Sequence, residues 1–200
     1  MGLDLSLLAI PKEGEIILKK AELKKGSEYS DILFSLPRAF DDNFTDFGHP
    51  DWIEFKNDAR NLATYYPEKK FLKKFYIDTI RTYEVFDYIF AKIENDERNF
   101  KESEPFFYDG IKCDYSISGQ GYPLKYWDIE ILQKKKTLID SLNFKEFFEN
   151  YNFRKMVNEV VYKIEQINNH PEKIEQIFND VKKFMEYAVE LDGYVLVFKY

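Results

Sequence analysis

The sequence predicts an α+β protein: a small mixed or antiparallel sheet that includes both chain-terminal strands and is covered by several helices. Three observations predict it. The chain closes with a capped amphipathic helix followed at once by Tyr194-Val195-Leu196-Val197-Phe198, a run apolar on both faces and suited to the middle of a sheet. It opens with Leu3, Leu5 and Leu7 alternating with Asp4 and Ser6, the period of a strand. Between them, apolar residues recur in several segments at the three- and four-residue spacing of a helix face. No internal repeat or linker interrupts the 200 residues, so a single compact globular domain over 1–200 is expected. A chain of that length buries about 70% of its unfolded surface.

The elements follow in order. Pro11 ends the first strand, and Gly14 to Leu23 fits a second strand or a short helix equally well. Residues 26–50 contain Pro37, Asp41-Asp42 and Gly48 with little periodicity, and read mostly as loop. Asp51 to Tyr66 reads as a helix stopped by Pro67. Pro67-Glu68 then restarts the chain, and Leu72, Phe75, Thr79, Tyr83, Phe86, Phe90 and Ile93 hold helical spacing to about Glu97. The β-branched residues around Ile77-Asp78-Thr79 weaken that helix. Asn99 to Gly110 is a polar loop around Pro105, and Ile111 to Ile117 alternates as a strand. Helices are expected at roughly Asp128–Ser141, Phe144–Glu149 and Phe153–Gln166. The last helix starts at Asn169-His170-Pro171-Glu172, where a polar cap, a proline and an acid suit the positive helix end. Ile174, Ile177, Phe178, Val181, Phe184, Met185 and Ala188 mark its buried face, and Asp192-Gly193 stops it.

Charge and composition exclude some functions. A net charge of −7, with acids spread among lysines, lacks the basic footprint of a nucleic-acid binder and permits a basic protein partner. The lone Cys113 forms no internal disulfide framework and suits the cytoplasm. No apolar run approaches a membrane span. The 19 Phe and 15 Tyr accompany many Lys, Asn and Ile, as AT-rich codons would produce, so aromatic abundance alone is not a sign of stacking on ligands.

Two clusters stand out. Asp41, Asp42, Asp46, His49 and Asp51 lie close together beside Trp52. A calcium loop would need glycine where Asp46 stands and glutamate where Trp52 stands, so the cluster reads as a solvated acidic loop and candidate contact surface. Gly119-Gln120-Gly121 matches only half of a dinucleotide-binding turn, with Leu124 at the third glycine position, and reads as a tight loop between a strand and a helix. Tyr122, Tyr126 and Trp127 beside it are either a hot spot or anchors of the loop in the core. His49 and His170 both sit where helices begin, Cys113 falls in a predicted strand, and the lysine clusters, Lys134-Lys135-Lys136 among them, read as solvated helix faces. No metal or cofactor motif and no catalytic constellation emerges.

From Gly119 onward the order of features resembles the YfbM-like family of bacterial proteins of unknown function. The likeness rests on Gly119, Gly121 and Pro123, a helix with Leu132 and Ile139, Tyr151-Asn152 with Met156, and Val161-Tyr162. It continues through Phe184, Tyr187-Ala188 and Gly193-Tyr194-Val195-Leu196-Val197. Lys163 stands where the family would have proline, a following tryptophan is missing, and before Gly119 only the Met1-Gly2 opening is similar. The resemblance implies an α+β fold and brings no catalytic residues.

The leading expectation is a cytosolic protein-binding module, an immunity- or antitoxin-like neutraliser of a basic partner, contacting it through Asp41, Asp42, Asp46 and Trp52 or through Tyr122, Tyr126 and Trp127. The alternative is a hydrolase or small-molecule-binding protein with a carboxylate and aromatic site near the Gly119–Trp127 loop.

Overall fold

The structure, a computed structural model, describes residues 5–40, 44–64, 74–77, 106–107, 110–117, 123–143 and 171–199. Its five strands are β1 (Leu5–Ile10), β2 (Lys74–Ile77), β3 (Ile111–Ile117), β4 (Pro123–Trp127) and β5 (Tyr194–Lys199). They form one antiparallel sheet in the order β2-β1-β5-β4-β3. The terminal strands are neighbours, with Leu8 opposite Leu196 and Ile10 opposite Tyr194. β5 takes the central place that its two apolar faces require. Its neighbour departs from the expected alternation: Ser6 is as buried as Leu7, Ala9 and Ile10. Helices cover both faces of the sheet, so β1 has no solvent side.

On one face lie α1 (Glu15–Leu23), preceded by a 3-10 turn at Lys12–Gly14, then α2 (Glu28–Asp31), a second 3-10 turn (Ile32–Ser35), α3 (Leu36–Ala39) and α4 (Pro50–Thr64). The sheet residues Leu8, Ile10, Leu196 and Phe198 share one core with Ile17, Tyr29, Leu33, Leu36 and Phe55 of these helices. On the other face α5 (Ile129–Ser141) packs against α6 (Pro171–Glu190) and onto β4 and β5. Leu132, Ile139, Phe178, Val181, Phe184 and Met185 are buried there. Asp128 caps α5, its carboxylate accepting the N–H of Ile131 at 2.9 Å. Gly193 is compelled by the joint between α6 and β5. A side chain there would come within 2.0 Å of the Ile10 carbonyl oxygen. No described helix is long and apolar enough to cross a membrane.

Several expectations are corrected. Of the two alternatives left open for Gly14–Leu23, the helix is the one found, over Glu15–Leu23. Residues 26–50 are not mostly loop: Tyr29, Ile32, Leu33, Leu36 and Phe40 are buried on short helical turns. Pro37, which has no N–H to donate back to the preceding turn, stands in the first turn of α3. Lys74–Ile77 is a strand inside the predicted long helix. There, pairing of this β-branched and aromatic run with Leu5–Leu8 outweighs helical spacing. Pro123–Trp127 is also a strand, so Gly119-Gln120-Gly121 falls between β3 and β4 in the sequence and not between a strand and a helix. The rest of the predicted helix to Glu97, and those at Phe144–Glu149 and Phe153–Gln166, lie outside the described residues.

Candidate functional site

The second 3-10 turn, α3, Phe44, Thr45, Phe47 and the start of α4 together line a groove. Helix α4 begins at Pro50, and His49 precedes it as a cap: its carbonyl accepts the Ile53 N–H at 3.0 Å and its Nδ1 the Asp51 N–H at 3.3 Å. Trp52, Phe55, Ala59 and Leu62 follow at helical spacing on one face. The last three are buried, while Trp52 lies at the exposed end of that face. Phe44 bridges outside and inside. It stacks on Trp52 with centroids 6.1 Å apart and meets the buried Phe55 at 6.4 Å.

Just before α4 the chain makes a tight turn. The Asp46 carbonyl accepts the His49 N–H at 3.0 Å, and both central residues hold positive φ, 50° at Phe47 and 73° at Gly48. This is the pattern of a type I′ turn, which glycine, asparagine and aspartate favour. Gly48 suits it; a phenylalanine is strained there by roughly 1–2 kcal/mol. The turn holds Phe47 out in solvent, 78% exposed, with its ring edge-on to Trp52. Phe34, Ser35, Arg38, Phe44, Thr45, Phe47 and Trp52 line the resulting groove of about 540 Å³.

The acids around the groove are engaged by lysines. Asp46 accepts the Gly48 N–H at 3.1 Å and an ion pair from Lys56 at 3.1 Å, and these hold its carboxyl below the usual range. Along α4, Asp51, Glu54 and Asp58 recur every three or four residues and face Lys20 of α1 and Lys24 at its C-cap. Lys24 reaches Asp51 at 3.0 Å and also Glu54; Lys20 reaches Glu54 at 2.9 Å and Asp58 at 2.6 Å. The hydrogen bond from Lys24 lowers both Glu54 and Asp51. Bonds to Glu54 and Asp51 raise Lys24; Lys20 is raised too, its hydrogen bonds to Asp58 and Glu54 outweighing its burial. Beneath them the fully buried Tyr29 donates to Asp58 at 2.7 Å, and burial, then this bond, pushes its hydroxyl far up. The network clamps α1 to α4. Its carboxylates are occupied and its phenol stays protonated, a poor arrangement for acid–base chemistry.

Of the sequence candidates, Trp52 lines the groove and Asp46 lies in the adjoining turn without lining it, while Asp41, Asp42 and Tyr122 lie outside the described residues. Tyr126 and Trp127 are adjacent on β4 and therefore point to opposite faces of the sheet, so they form no joint site. Tyr126 meets Tyr194 at 6.0 Å, and burial raises its hydroxyl. Trp127 is fully buried, a core residue and not a surface contact. Beside it is a surprise: Lys135 is not on a solvated face but only 4% exposed. Its ammonium donates to the Phe106 carbonyl at 2.5 Å and lies over the rings of Phe106 and Trp127. Cys113 is buried on β3, as its place in the sequence suggested.

Sequence reasoning missed Phe34, Arg38, Phe44 and Phe47. A signal was available: Tyr29, Ile32, Leu33, Leu36 and Phe40 already hold helical spacing, which places Arg38 on the opposite, outer side of the turns. Among the described residues no group of three or more His, Cys, Asp or Glu could hold a metal ion.

No family model matches the chain, and neither a curated protein nor a solved structure matches it. The YfbM-like likeness therefore rests on the sequence alone.

Proposed function

We propose that this chain is a protein-binding module whose contact surface is the aromatic groove of Phe34, Phe44, Phe47 and Trp52. The carrying observation is Phe47, a large apolar side chain held in solvent by a backbone conformation that disfavours it. Burial cannot account for its presence, and glycine or asparagine would form the same turn with less strain. Strain of this kind concentrates at binding sites, and exposed aromatics with an arginine are the usual anchors of protein interfaces. The groove is lined mainly by aromatic rings with one arginine, the residue types that anchor protein interfaces.

The acids that suggested a basic partner support this reading less than the rings do. Where described, Asp46 and Asp51 are engaged by Lys56 and Lys24. The net charge of −7 still favours solubility.

A photo-crosslinking amino acid tests the reading. Benzoylphenylalanine replaces Thr45, an exposed residue lining the groove, or as a control Lys183, exposed on α6. Irradiation in the native cells is expected to yield a discrete protein adduct from position 45 alone. Equal adducts from both positions, or none from 45, would count against the groove.

A further inference from the structure

We infer that the groove takes a partner segment in which an aromatic or aliphatic side chain sits beside an aspartate or glutamate; this rests on the protein-binding reading above. Arg38 alone carries charge among the described residues that line the groove. It is exposed, and among the described residues no ion pair engages it. The nearby carboxylates contrast with it: Asp46 is held by Lys56, and Asp51 and Glu54 by Lys24. The groove thus offers rings for an apolar side chain and, at one place, a fork of donors for a carboxylate.

The surroundings also set the orientation. Glu28 accepts the Trp52 indole N–H at 3.1 Å and puts negative charge at that edge. A partner's acid is repelled there and drawn to Arg38, which leaves the apolar side chain for Phe47 and Trp52. A basic segment would meet Arg38 unfavourably and find Asp46 and Asp51 already occupied, with only Glu28, which accepts the Trp52 indole N–H, left to attract it. Recognition of this form, an apolar anchor plus a charge contact, gives register as well as affinity.

The test is a displayed library of random twelve-residue peptides, panned on the full chain and counter-selected on its Phe47→Gly variant. The inference expects Phe47-dependent peptides with Asp or Glu within about three positions of an aromatic or aliphatic residue. As synthetic peptides they should lose at least about tenfold in affinity on Arg38→Glu, and lose less on Arg38→Lys. Both variants alter an exposed side chain, and their circular dichroism should match the parent's. Phe47-dependent peptides that lack acids, or that bind Arg38→Glu undiminished, overturn this inference and leave the groove reading standing. Failure to recover any peptide that distinguishes the parent from Phe47→Gly overturns both.

Discussion

The ring of Phe47 meets Trp52 edge-on, with centroids 5.2 Å apart and planes at 68°, from a backbone held at a φ of 50°. The contact and the strain oppose each other. An exposed edge-to-face pair contributes about 0.5–1 kcal/mol, whereas a β-carbon in the left-handed region costs roughly 1–2 kcal/mol. Phe47→Gly should therefore leave stability unchanged or raise it by up to about 1 kcal/mol. Phe47→Val, which puts a β-branched residue at positive φ, should lower it. Urea unfolding of the two variants checks this, and a marked loss with Phe47→Gly would show that the ring is a structural part of the turn.

The clamp between α1 and α4 predicts the acid limb of stability. Asp46, Asp51 and Glu54 are all lowered in the folded state. Their contribution is present above the unfolded values, near pH 4, and is lost as pH falls through the lower folded ones. The urea midpoint should be flat from neutrality to about pH 5 and fall below about pH 4. Lys24→Met removes the partner that Asp51 and Glu54 share, and should make that fall shallower. An acid limb identical to the parent's would deny the Lys24 contacts any share in stability. At the alkaline end the sign is reversed: Lys20 and Lys24 are raised, so their contribution is lost only as pH climbs through their folded values.

Lys135 supplies a contrast between stem and charge. Lys135→Ala removes a buried stem and leaves the Phe106 carbonyl without this donor, at a cost of about 2–4 kcal/mol. Lys135→Met keeps the stem and removes the need to bury an ammonium, so it should recover most of that loss. Chemical denaturation of both variants measures the difference. Changes below about 0.5 kcal/mol for Lys135→Ala would return this residue to the solvated face its sequence suggested.

Much of the fold was legible because hydrophobic pattern and punctuation agreed. Val195 to Phe198 is apolar on both faces, and β5 is central; Pro171 starts α6, and Gly193 stands where no side chain fits. Patterns failed where two periods overlapped. Phe75 satisfies the helical spacing from Leu72 and equally belongs to the strand opposite Leu7. The site was less legible. Trp52 and Asp46 were found by their proximity in sequence, but Asp46 attracted attention as an acid and proves to be tied to Lys56. Phe47 was missed because nothing in Asp46-Phe47-Gly48 announces a positive φ at phenylalanine. Lys135 was misplaced because a run of three lysines reads as solvated, although the middle one shares the helix face of Leu132 and Ile139.

The central claim is that Phe47 is kept for a partner and not for the fold. Its most direct test is the adduct yield from benzoylphenylalanine at position 45, measured with and without Phe47→Gly in the same cells. A hot spot of about 2 kcal/mol predicts a fall of more than tenfold while the variant stays folded. An unchanged yield from an equally stable variant would contradict the claim.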